Sequence, residues 1–120
     1  MRQQTIKSLL LLAFALLILT PACQSDSERA LIDAAAEGDT RKVEGLLNRG
    51  VDIEANARDD WTSLTIAARE GHYETVKLLL NKGAKVNAKE GGGHTPLFWA
   101  KKYNHQKVTE QLKEAGGKDE

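Results

Sequence analysis

Trp61-Thr62-Ser63-Leu64-Thr65-Ile66-Ala67-Ala68-Arg69-Glu70-Gly71-His72 is the stretch whose reading decides the fold. A hydroxyl residue precedes a helical apolar pattern, and a glycine ends it. Thr62 can accept a hydrogen bond from the open N–H groups of a first helical turn. A second helix is predicted beyond it, with Val76, Leu79 and Leu80 on one face. It stops before Gly83, which suits the left-handed residue that closes a helix. The unit is a pair of short antiparallel helices.

The same unit recurs in both directions. Leu31, Leu64 and Leu97 stand 33 residues apart, as do Ala34, Ala67 and Ala100, then Leu46, Leu79 and Leu112, and Gly50, Gly83 and Gly116. Gly38 matches Gly71 and Val43 matches Val76. One fixed spacing over so many apolar and glycine positions marks a repeat architecture. In the third unit the helix opens with Thr95-Pro96-Leu97, the proline standing where its missing N–H costs nothing. Extended stretches, Val51 to Asn56 and Ala84 to Lys89, run into Arg58-Asp59-Asp60 and Gly91-Gly92-Gly93, which predicts a β-hairpin between successive units. The expected fold is an all-α solenoid of three helix–turn–helix units over residues 29–57, 58–90 and 91–120.

Thr95-Pro96-Leu97, Ala67-Ala68 with Gly71-His72, Val76-Lys77-Leu78-Leu79-Leu80 and Gly83-Ala84 with Val86-Asn87-Ala88 closely resemble the ankyrin repeat. The resemblance covers about Arg29 to Gly117. Two features depart from it: Ile32, Thr65 and Phe98 stand where the family has histidine, and Asn104 replaces a loop glycine. The resemblance implies a non-catalytic module that binds another protein through hairpin tips and the inner-helix face. Carried over position by position, that face holds Asn56, Arg58, Asp59, Trp61, Arg69 and Glu70, joined by Lys89, His94, Lys102 and Tyr103. For this short stack the available area is about 600–800 Å² per partner. Its mixture of aromatic and charged residues points to a heterologous partner and a monomeric chain; a self-associating structural protein of the envelope is the alternative. Phe98 and Trp99 are expected to pack among core positions, His94 to be exposed, and Trp61 to serve either as a contact or as a hairpin anchor.

The outer units read as caps. Thr109, Gln111 and Lys113 replace Val76, Leu78 and Leu80, and the first unit carries Glu28, Arg29 and Asp33. Terminal repeats need such polar faces because no neighbour covers them.

Residues 1–22 read as a processing signal. Arg2 and Lys7 precede a run of 11 apolar residues from Leu9 to Leu19. A span of the bilayer takes about 20 residues, so the run suits the apolar part of a secretory signal. Two outcomes follow. Thr20 and Ala22 fit an ordinary cleavage site, whereas Leu19-Thr20-Pro21-Ala22-Cys23 resembles a bacterial lipobox, with Thr20 and Pro21 departing from its pattern. In the second outcome Cys23 is lipidated and begins a short polar linker, residues 23–28; Gln24 then implies sorting to the outer membrane. Either way the expected location is the periplasmic side of a bacterial envelope, with the membrane reached only through a lipid anchor.

Composition excludes other classes. The 120 residues make one domain, and a single cysteine forms no internal disulfide. Without the leader, 15 basic residues face 17 acidic ones, which gives no electrostatic basis for nucleic-acid binding. His72 and His105 lack a third metal ligand, so a structural role is expected and no metal or cofactor is assigned. Gly91-Gly92-Gly93 has no Gly-Lys-Ser/Thr ending and is no phosphate loop. Asp59 and Asp60 lie on a turn without the pocket that paired catalytic carboxylates require. No catalytic residue is assigned.

Overall fold

The computed structural model describes residues 26–119; the expected leader and Cys23 lie outside the described residues. Six helices follow one another: α1 over residues 26–37, α2 Thr40–Asn48, α3 Ser63–Glu70, α4 Tyr73–Asn81, α5 Pro96–Lys102 and α6 Gln106–Glu114. Asp26, Ser27 and Glu28, placed in a linker by their polarity, are already helical. In the second and third units the first helix packs against the second (α3 on α4, α5 on α6), and like helices stack on one another: α3 on α5, and α4 on both α2 and α6.

Local chemistry sets the helix ends. Thr62 Oγ1 accepts from the Thr65 amide at 3.3 Å, and Thr95 Oγ1 from the Phe98 amide at 3.3 Å. Asp39 caps α2 through the Lys42 amide at 3.1 Å. Gly83 follows α4 at φ 91°, the left-handed region predicted for it. The core is a single ladder of Leu31, Leu64, Leu97, Ala34, Ala67 and Ala100, continued by Val43, Val76, Leu46, Leu79, Val108 and Leu112.

Histidines join the units. His72 Nε2 donates to the Ala36 carbonyl at 2.9 Å, and His105 Nε2 donates to the Arg69 carbonyl at 2.8 Å. Each ring lies on the glycine that ends the preceding helix: a Cβ on Gly38 would stand 2.6 Å from His72 Nδ1, and one on Gly71 2.4 Å from His105 Nδ1. Asn104 takes the same left-handed conformation, φ 60°, and among the described residues no histidine ring of a later unit lies on it. Asn is among the few side chains that tolerate this region. At the other end Asp39 occupies the histidine position and caps its own helix instead.

The predicted hairpins are tighter than expected. Among the described residues no strand forms, and one isolated antiparallel bridge joins Asn56 to Thr62. Turns satisfy the intervening backbone: Ala55 N donates to Asp52 O at 3.0 Å, Ala88 N to Lys85 O at 3.3 Å, and Ala57 N to Trp61 O at 2.9 Å. A strand pair has too few free groups left to form. The tips also touch, since the Gly91 amide donates to the Asp59 carbonyl at 2.6 Å.

Candidate protein-binding face

Five aromatic rings gather where α3 and α5 meet the turns. Trp61 and Trp99 have ring centroids 4.9 Å apart at an interplanar angle of 44°. Trp99 meets Phe98 edge to face at 5.3 Å and stacks with Tyr103 at 6.2 Å, while His94 stacks on Phe98 at 4.0 Å. Two cations lie on these rings: the Arg69 guanidinium 4.9 Å from the Trp61 centroid, and Lys102 Nζ 4.8 Å from that of Trp99. Such pairs hold charged side chains against aromatic faces while leaving the heads in water.

The platform is fixed from below. Glu90 is 7% exposed, and its carboxylate accepts from the Gly92 amide at 2.6 Å, the His94 amide at 3.0 Å and His94 Nδ1 at 2.7 Å. Burial by itself pushes the pKa of this carboxyl up, but the hydrogen bonds from Gly92 and His94 outweigh it and hold Glu90 below its ordinary value. Arg69 is anchored twice, through its carbonyl to His105 and through Nε to Glu70 at 2.8 Å.

Of the residues predicted for the face, Trp61, Arg69, Glu70, His94, Lys102 and Tyr103 come together here. Asn56, Arg58 and Asp59 do not join the rings: Asn56 bridges to Thr62, and Arg58 and Asp59 form an exposed turn. Lys89 is exposed beside Glu90. His94, expected in the open, is half-buried because Glu90 and Phe98 hold its ring.

Phe98 and Trp99 correct the sequence reading, being half-buried and outside the core cluster. Their counterparts one repeat earlier, Thr65 and Ile66, are 0% and 6% exposed. α5 covers Thr65 and Ile66 in the stack, and among the described residues no first helix of a later unit covers Phe98 and Trp99. The polar outer face of α6 was the signal that could have revealed this. Glu90 carried no sequence signal, because its role depends on the fold of residues 90–94.

A family model described as ankyrin repeats in three copies matches residues 5–90 and residues 31–119. The chain belongs to the ankyrin repeat family. No curated protein matches it.

Ankyrin repeats are protein–protein interaction modules and are generally non-catalytic. In this ankyrin stack no three His, Cys, Asp or Glu side chains converge as a metal site among the described residues, and no described helix is long and apolar enough to cross a membrane.

Proposed function

We propose that this ankyrin stack acts as a monomer that binds one folded partner protein at the bacterial envelope, as an adaptor, inhibitor or protector. The observation that carries this reading is the aromatic platform with Arg69 and Lys102 on its rings. Trp, Tyr and Arg are the residue types that most often dominate interface energies. The ring-to-ring contacts and the Glu90–His94 anchor keep the platform ordered before any partner arrives, which reduces the entropic cost of association.

The two ends of the stack favour a monomer over self-association. α6 leaves Lys113 exposed, although Thr109 is half-buried and Gln111 turns back to donate to the Tyr73 carbonyl, and Asn104 puts a side chain where a stacked histidine would have to lie. Export rests on the basic start and apolar run of residues 1–22, and anchoring rests on Cys23. A lipid with several acyl chains would hold the module far better than one marginal chain.

Affinity capture from the native cells, repeated with Trp61→Ala and Trp99→Ala, tests the binding face. A common partner lost from both variants is the expected outcome; equal recovery by both rejects this face, and an oligomer without a partner supports the structural alternative. Mass spectrometry of the mature N-terminus tests location: an acylated Cys23 is expected, and an unmodified start at Cys23 or Gln24 means an unanchored protein.

A further inference from the structure

We infer that the platform takes an extended acidic segment of its partner, with an apolar or proline side chain laid on the Trp61–Trp99 pair and carboxylates meeting Lys102 and Arg69. This rests on the protein-binding reading above and adds the chemistry of the bound segment. The groups touch in the order Arg69, Trp61, Trp99, Lys102, with successive separations of 4.9, 4.9 and 4.8 Å from cation to ring, ring to ring and ring to cation. Each indole therefore has its own cation, and a ligand on either ring lies beside a positive charge.

Three carboxylates of this region are already engaged, while Asp59 and Asp60 stand on the exposed turn. Glu90 is buried under Gly92 and His94, Asp119 is bonded to Lys101, and Glu70 accepts both Nε and Nη2 of Arg69 through a single oxygen at 2.8 Å. Lys102 has ring contacts but no carboxylate among the described residues, and the Nη1 donors of Arg69 remain unused. A guanidinium carries five N–H donors and readily serves a second acceptor. The pair with Glu70 is exposed and worth little, so an incoming carboxylate can share or replace it.

Two other occupants use only part of this chemistry. A glycan could lie on the indoles without using the cations. Single-stranded nucleic acid could stack its bases, but it needs a continuous basic track, and Asp59, Asp60 and Glu70 interrupt one here.

The test is selection from a library of peptides of about 12 residues, ample to cross this face at about 3.3 Å per extended residue. The selected peptide is compared with its amide counterpart (each Asp and Glu changed to Asn and Gln), with a chito-oligosaccharide and with an oligothymidylate. Binding is followed by tryptophan fluorescence and calorimetry on the full chain. The expected result is a peptide with acidic residues flanking proline or an aromatic, whose amide counterpart binds about tenfold more weakly, as the loss of charge-assisted bonds implies. Lys102→Ala should erase most of that difference, and Trp99→Ala should remove binding of both peptides. Peptides that bind at the indoles with no acidic preference overturn the inference and leave the face intact. Peptides unaffected by Trp61→Ala and Trp99→Ala reject the face as well. Tighter binding of the oligosaccharide or oligonucleotide, or no peptide binding at all, also overturns the inference.

Discussion

His72 rests on Gly38 and donates to the Ala36 carbonyl at 2.9 Å, so one imidazole closes the seam between the first and second units. His105 and Gly71 repeat the arrangement at the next seam. Glycine is required there by a left-handed backbone and by the ring directly above it.

Gly71→Ala is expected to destabilise the stack by about 2–4 kcal/mol, combining left-handed strain with displacement of His105. Asn104→Ala, under which no ring lies, should cost only about 1 kcal/mol. Urea denaturation of both variants separates the two contributions. Equal losses would mean that the ring contributes nothing.

Ser63 is fully buried, and its hydroxyl has no hydrogen-bond partner. One repeat later the same first helical position holds Pro96. Ser63→Pro should therefore stabilise the protein by about 0.5–1 kcal/mol, through a less flexible unfolded chain and the loss of an unsatisfied group. Thermal unfolding checks this, and a lowered midpoint would refute it.

The Glu90 carboxyl titrates below its ordinary value of 4.5 in the folded protein. The unfolded chain therefore takes up this proton first as pH falls. The stabilisation from Glu90 is complete above the ordinary value and is lost as pH falls through the depressed folded value. Glu90→Gln should lower stability at neutral pH by about 1–2 kcal/mol and flatten this acid-side dependence. Denaturant midpoints measured from neutral to acid pH distinguish the two proteins; parallel curves would rule out the assignment.

Phe98 is half-buried on the platform, whereas its neighbour Leu97 is 3% exposed in the core. Phe98→Ala should cost no more than about 1.5 kcal/mol, and Leu97→Ala about 2–5 kcal/mol. Comparable losses in calorimetry would place Phe98 in the core after all.

Much of this molecule was legible because its rules are local. Thr62, Thr95 and Gly83 declare helix ends through chemistry confined to a single turn, and the 33-residue spacing of Leu31, Leu64 and Leu97 fixes the stacking. Six members of the candidate face were legible, since Trp61, Arg69, Glu70, His94, Lys102 and Tyr103 follow from their place in the repeat. Phe98 and Trp99 misled because a large apolar side chain reads as core wherever a neighbouring unit would cover it, and no later unit covers theirs among the described residues. The Glu90–His94 bond depends on a turn geometry that no periodicity announces.

Asp39 and Asn104 give the repeat array a polarity of growth. A unit inserted between residues 90 and 91 as a second copy of residues 58–90 would offer a glycine to every histidine and a histidine to every internal glycine. A unit appended after Gly117 would instead lower its histidine onto Asn104. The array is thus open to lengthening from within and closed at its margins. Insertion of the middle unit should yield a longer, more stable array, while the appended version should leave its last unit loosely attached, a difference that amide hydrogen exchange would resolve.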